Sequence, residues 1–166
     1  YVYTNEQYAR TIGVNIGENC SIGTRNFGSE PYLITIGNHV QITDNVFFFT
    51  HGGGWIFRDE LPDFDCFGKI VIKDNVYIGS GAYILPGVTI ESNVIVDARS
   101  VVTKSVPCGV VVAGNPAKIV CTTDELKRKL IPFNIKTKSL KQEEKRRYLL
   151  NKARLDQFLS KTFLAK

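Results

Sequence analysis

The 166-residue sequence predicts an all-β fold, a parallel β-helix wound from six-residue units, followed by a helical C-terminal extension. Three observations predict it. Ile72, Ile78, Ile84, Ile90, Val96 and Val102 hold a strict six-residue interval. A compact residue follows each of them four places on: Val76, Ala82, Val88, Val94, Ser100 and Val106. Residues 122–166 abandon the period and turn basic.

An interval of six fits neither the period of two of a strand nor the 3.6 of a helix. It fits a backbone in which each unit makes one short strand and a corner, and three units close a triangular coil. The leading aliphatic residue then points into the prism, and its companion is compact because three faces converge there. Gly, Asn and Asp suit the corners because they tolerate positive φ. Successive coils are expected to hydrogen-bond at the ordinary strand spacing of about 4.8 Å. Residues 72–107 supply two coils, and the upstream blocks Ile16, Ile22 and Ile36, Ile42, Phe48 supply two or three more, with Cys20, Val40 and Val46 as companions.

The repeat is interrupted three times, and such interruptions are where function is expected. Two extra residues intrude between Ile22 and Ile36, in TRNFGSEPYLIT. The pattern lapses between Phe48 and Ile70, so residues 49–69 read as a loop thrown out of the prism. After residue 107 the repeats stop. The organisation expected is therefore a β-helix over 1–121 with loop 49–69 inserted, and a basic helical extension over 122–166. Three consecutive glycines in the loop read as too mobile for regular structure. Trp55, Phe57 and Phe64 suit either a ligand-facing loop or packing on the coil or a neighbouring subunit. His51 opens the loop. Free imidazole titrates near neutral pH, which a general base requires. His39, mid-unit in IGNHVQ, reads as an outward surface residue. HGGGW resembles an esterase oxyanion segment, but no serine stands in a G-x-S-x-G elbow, so that chemistry is excluded.

Composition narrows the rest. No run of eighteen apolar residues appears, and the N-terminal residues lack the regions of a secretory signal. With no methionine anywhere, the numbered start is expected to lie within a longer chain. Cys20, Cys66, Cys108 and Cys121 have spacing for neither a zinc site nor a disulfide framework, which favours reduced thiols in a cytoplasmic protein. The net charge of +5 is uneven: residues 1–117 carry seven basic against eleven acidic side chains, and 118–166 carry fourteen against five.

IGSGAYILPGVTI, SVVTKSVP and VVAGNPAKIV resemble the closing coils of hexapeptide-repeat acetyltransferases. NFGSEPYLITIGN and the T-H-G-G-x-W-like segment after it are similar to the sugar O-acetyltransferase branch acting on polysaccharides, near the galactoside, maltose and xenobiotic acetyltransferases. The resemblance covers roughly 12–121. It implies a left-handed winding, acetyl-CoA as acyl donor, no metal, a sugar hydroxyl as acceptor, and a homotrimer with active sites between subunits. It implies His51 as general base. Asn26, Glu30, Trp55 and Arg58 are the residues expected on the acceptor side. Ser80, Ala98, Thr103, Lys104 and Lys118 are those expected along the coenzyme. The carboxylate that orients His51 is left open among Glu30, Asp59 and Asp63. Where the family commonly has G-A-G before S-V-V, this chain has Asp97-Ala98-Arg99, which brings a charge to a corner beside the expected groove. Pro116, in AGNPA, is expected to end the coiling and fix the outgoing chain.

In the tail, TTDELKRKL carries a helix start. LKQEEKRRYLLNKARLDQFLSKTFL reads as one amphipathic helix with Leu140, Tyr148, Leu149, Leu155, Phe158 and Leu159 as its apolar positions. It is expected either to pack on the coil or a neighbouring protomer, or to hold the protein at the anionic inner face of the membrane. No nucleic-acid motif accompanies the charge. Two rival functions remain: N-acetylation of an amino sugar nucleotide, and a non-catalytic scaffold. β-helical carbonic anhydrases need three histidine ligands, and the sequence has two histidines.

Overall fold

A computed structural model describes residues 3–151 and 157–162. Helix α1 (Asn5–Thr11) leads into the prism. Thr4 caps it: its hydroxyl accepts from the Gln7 N–H while the Gln7 side chain accepts from the Thr4 N–H. Its Ala9 is fully buried, and Arg10 donates to the carbonyls of Ile16 and Gly17 on the first coil.

The first coil holds β1 (Asn15–Ile16) and β2 (Ser21–Ile22), and the second holds β3 (Ile34–Ile36), β4 (Gln41–Ile42) and β5 (Phe47–Phe48). After the inserted loop come β6 (Ile70–Ile72), β7 (Tyr77–Ile78) and β8 (Tyr83–Ile84), then β9 (Thr89–Ile90), β10 (Ile95–Val96) and β11 (Val101–Val102). These strands stack in parallel into three faces. The first runs β1-β3-β6-β9, the second β2-β4-β7-β10, and the third β5-β8-β11, which Asn26 extends by a bridge to Phe47. Register is strict: Ile36 lies over Ile72, Ile42 over Ile78, and Phe48 over Ile84.

This register follows from the side chains. Every leading position from Ile72 to Val102 and every companion from Val76 to Val106 is buried. Slipping a strand by one residue would turn its aliphatic chain outward. The first coil is looser, with Cys20 and Ile22 only half-buried. Phe27 fills the third face there and stacks on Phe48, with ring centroids 5.4 Å apart.

The corners carry their own ladder. Asn19, His39, Asn75 and Asn93 all adopt left-handed backbone, with φ between +54° and +61°. His39 is exposed, its Nδ1 lies 2.8 Å from Asn75 Oδ1, and Asn75 Nδ2 donates to Asn93 Oδ1 at 2.6 Å. At the next corner Gly79 passes so close to the coil above that an added Cβ would lie 2.5 Å from the Ala98 nitrogen.

Beyond the coils, Pro116 stands where the parallel winding ends. It sits in a turn, and β13 (Lys118–Thr122) folds back antiparallel on β12 (Val110–Ala113), which itself continues the second face from β10. The Thr123 N–H then donates to Gly109 O. The loop glycines do enter regular structure: Gly53, at φ +71°, caps a 3-10 helix over Gly54–Phe57.

The chain divides into two compact units, 1–123 and 124–166. Helix α2 (Thr123–Leu130) leads into the second, followed by a 3-10 turn over Ile131–Phe133. The long amphipathic helix expected there is shorter. Helix α3 (Gln142–Leu149) ends at Leu150, Leu140 precedes it, and Phe158 and Leu159 lie outside any α-helix. Tyr148 and Leu149 are half-buried, and Leu155 lies outside the described residues. No helix among the described residues is long and apolar enough to cross a membrane.

Gly79→Ala should destabilise the first unit, because the third and fourth coils must part at that corner. Ile84→Ala should cost about 2–5 kcal/mol, as a fully buried aliphatic chain leaves a cavity. Urea unfolding followed by circular dichroism measures both as a lower midpoint.

Candidate active site

Two of the interruptions meet at one corner. The chain leaves the third face of the first coil at Gly28–Glu30 and that of the second coil at Thr50–His51, so the two departures stack. Gly28, at φ +69°, makes the first departure; a side chain there would crowd the Phe48 carbonyl at 3.1 Å. Glu30 then precedes the 3-10 turn Pro31–Leu33. The loop is pinched at its base, where Gly68 N–H donates to Thr50 O at 2.7 Å and His51 bridges Phe67 in antiparallel fashion. Phe67 also meets the imidazole edge-on, with centroids 5.5 Å apart. His51 is thus held at the paired neck of the loop.

Glu30 Oε2 accepts from the buried Thr50 hydroxyl at 2.6 Å and lies 2.7 Å from His51 Nδ1. The Thr50 hydrogen bond, with the His51 hydrogen bond and charge, outweighs partial burial and holds the Glu30 carboxyl below its ordinary range. An ionised carboxylate only accepts, so Nδ1 carries the proton and donates it to Glu30. In the neutral ring Nε2 is then left as an acceptor. The His51 side chain is 41% exposed against 15% for Glu30, so the imidazole reaches solvent while the carboxylate sits behind it. Of Glu30, Asp59 and Asp63, only Glu30 touches the ring among the described residues.

The other expected residues divide. Asn26 lies on the third face one coil before Phe47, half-buried, and its carbonyl accepts from Phe48 N–H. Glu30, expected to meet the acceptor, turns Oε2 inward to Thr50 and His51 instead. Trp55 is 80% exposed on the loop's 3-10 helix. Arg58 Nε donates to Phe64 O within the loop at 3.4 Å, and Phe57 packs edge-on against Phe64. The aromatic trio therefore separates: two rings pack on each other and the indole stands free.

The residues expected along the coenzyme fall on two edges of the prism, one on each side of the third face. Thr103 and Lys104, both exposed, share the His51 edge two coils further on, about 10 Å along the axis. Ser80, Ala98 and Arg99 lie on the other edge. Ser80 Oγ donates to Asp44 Oδ1 of the coil below at 2.6 Å, so its hydroxyl ties coils together. The Ala98 N–H is taken by Asp97 Oδ1 at 2.8 Å, which leaves its carbonyl rather than its donor for a ligand. Arg99 has φ +58°, the left-handed backbone that Asn45 and Gly81 take at the same corner. Lys118 is exposed on β13 beside Ala113. Among the described residues neither Arg99, Lys104 nor Lys118 enters an ion pair, as phosphate-binding side chains require.

Glu30, one of the three carboxylates expected beside His51, had a further sequence signal. It stands in one interruption and His51 in the other, and equivalent corners of a β-helix superpose.

Known proteins carry the same pattern. Residues 69–104 match the family described as bacterial transferase hexapeptide (six repeats). Protein CapG of Staphylococcus aureus is 48% identical over 152 residues, 89% of this chain and 88% of its own length. Galactoside O-acetyltransferase of Lactococcus lactis is 33% identical over 74% of this chain and 66% of its own. Among solved structures, a hexapeptide-repeat acetyltransferase from Vibrio cholerae complexed with acetyl coenzyme A is 33% identical, with a TM-score of 0.59 over 66% of this chain and 60% of that one. A maltose O-acetyltransferase from Clostridium difficile is 29% identical, with a TM-score of 0.56 over 66% of this chain and 59% of its own. Identity of this extent, on stacked coils of this register, makes the chain a left-handed β-helical member of the hexapeptide-repeat acetyltransferase family, and hence an acyltransferase.

Proposed function

We propose that the protein transfers an acetyl group from acetyl-CoA to a sugar hydroxyl of a surface polysaccharide, by direct transfer with His51 as general base. The observation that carries this reading is the Glu30–His51 contact, which in the neutral ring puts the proton on Nδ1 and leaves Nε2 to accept, on a side chain that is 41% exposed. A sugar hydroxyl is a poor nucleophile until its proton is accepted as the new bond forms. His51 Nε2 takes that proton while the hydroxyl oxygen attacks the acetyl carbonyl. The imidazolium, held by Glu30, returns the proton to the departing thiolate, so free CoA thiol and the acetyl ester are the products. Backbone N–H groups suit the transient oxyanion. Glu30 acts on the ring and touches no substrate. It fixes the tautomer and stabilises the positive charge that forms.

Trp55, free on the loop, suits stacking against a pyranose face, and Asn26 and Arg58 supply polar groups on the acceptor side. Lys104, Lys118 and Arg99 suit the phosphates of the coenzyme, which supplies the activated acetyl thioester. These bases occupy different edges of one prism, so a groove using all of them is completed by a neighbouring copy. We accordingly place the site between subunits of a trimer, in the cytoplasm where acetyl-CoA is available. The outer side of the third face fits such a contact. Phe47, Phe49 and Tyr83 stack there with near-parallel rings, and Phe49 and Tyr83 are more than a third exposed.

Acetyl-CoA turnover over a library of hydroxy and amino sugars tests the reading. At least one hydroxy sugar should be acetylated, and His51→Ala should lower kcat about 100- to 10,000-fold with little change in KM. Equal turnover by wild type and variant would refute it. Preference for amino acceptors would select N-acetylation.

Glu30→Gln tests the orienting role. A folded-state carboxyl held low stabilises the protein above its unfolded value, about 4.3 for Glu, and that contribution is lost as pH falls through the lower folded value. Wild type should therefore exceed Glu30→Gln in thermal stability at neutral pH, with the gap closing in acid. Activity should fall through kcat in the variant at neutral pH.

Tyr83→Glu should shift the protein from trimer toward monomer in sedimentation, and turnover should fall with it.

A further inference from the structure

We propose that the second unit docks the protein on an anionic lipid bilayer, through Lys127, Arg128 and Lys129 together with the exposed side chains of Leu130, Ile131 and Phe133. The charge asymmetry supplies the first argument. Residues 118–166 carry fourteen basic against five acidic side chains, whereas the coils are net acidic, so attraction to a negative surface belongs to this segment alone. Within it, three consecutive bases end α2, and none of them enters an ion pair among the described residues. An unpaired base near an anionic membrane contributes about fivefold to binding, and three in one turn are a strong local attractor.

Charge alone would suit any polyanion, and the next residues decide between them. Directly after the bases, Leu130, Ile131 and Phe133 are 41%, 59% and 37% exposed, held in a 3-10 turn with Pro132. A nucleic acid or an acidic polysaccharide has no apolar interior to receive them. A bilayer has one just beneath its charged headgroups, and lysine and arginine stems reach from that depth to the phosphate level. Bases followed at once by exposed aliphatic and aromatic side chains thus match the two layers of a membrane surface. The exposed apolar part of the inserted loop lacks this match. Around Trp55, Ile56 and Leu61, loop residues 52–66 carry Arg58 against Asp59, Glu60, Asp63 and Asp65, so an anionic surface repels it.

The test is sedimentation of the whole protein with vesicles of phosphatidylcholine alone or mixed with phosphatidylglycerol. Binding is expected only to the anionic vesicles, and it should weaken steeply as salt rises toward 1 M and the screening length falls to about 3 Å. The triple variant K127E/R128E/K129E should bind at least about tenfold less, and I131S/F133S should also weaken binding at unchanged net charge. Absence of binding by the unaltered protein to anionic vesicles would overturn the proposal, because it would mean that these side chains pack against protein. Vesicle binding indifferent to I131S/F133S, or retention on a soluble polyanion without vesicle binding, would overturn it in favour of a charge-only partner. Should either variant fail to fold, the lipid and salt dependence of the unaltered protein decides the matter alone.

Discussion

Each coil donates its backbone N–H groups to the carbonyls of the next, and everything else in the first unit is constrained by that ladder. Gly37 N–H reaches Ile72 O, Tyr77 N–H reaches Val94 O, and Tyr83 N–H reaches Ser100 O, so an equivalent residue stands above each residue. A side chain is then judged against its copy one coil away. Inward, this demands aliphatic rows of matched size. At the corners it demands residues that accept left-handed backbone, and glycine where two turns nearly touch, as at Gly79 against Ala98. The six-residue period is the sequence record of these demands.

That origin explains what was legible. The inward rows, their companions and the corner residues are local consequences of the ladder, so counting along the chain recovers them. The two interruptions were visible as breaks in the same count. Helix α1 has a sequence signal of its own, the capping box of Thr4 and Gln7, although its seven residues carry no repeat. The β12–β13 hairpin was not readable. Its returning strand, Lys118–Thr122, lies beyond the last repeat, and only long-range pairing reveals its antiparallel sense.

The candidate site shows the same division. His51 could be singled out as a loop histidine at a break, a local property. Its partner could be narrowed only to Glu30, Asp59 or Asp63, because twenty-one residues separate Glu30 from it and their contact exists only once two coils are stacked. Ser80 shows a related limit: its sequence neighbours do not reveal that the coil below brings Asp44 to 2.6 Å of its hydroxyl. Side chains on the edges answer to residues about eighteen or thirty-six positions away, a distance that no local pattern encodes.

A continuous ladder also dictates where chemistry can be placed. An insertion within a face would break the pairing of every strand stacked on it, whereas an insertion at a corner leaves the faces intact. Both departures in this chain obey that rule and use the same corner in consecutive coils. The first is short and delivers a carboxylate at a 3-10 turn. The second is long, and because its base is pinned by Thr50–Gly68 and His51–Phe67 pairing, the imidazole stays in register with the coil while the loop beyond it is free to differ. His51 is therefore positioned by the rigid stack, while residues 52–66 extend beyond it. A fold that cannot deform its faces can still change what it binds, provided the change leaves the prism at its edge.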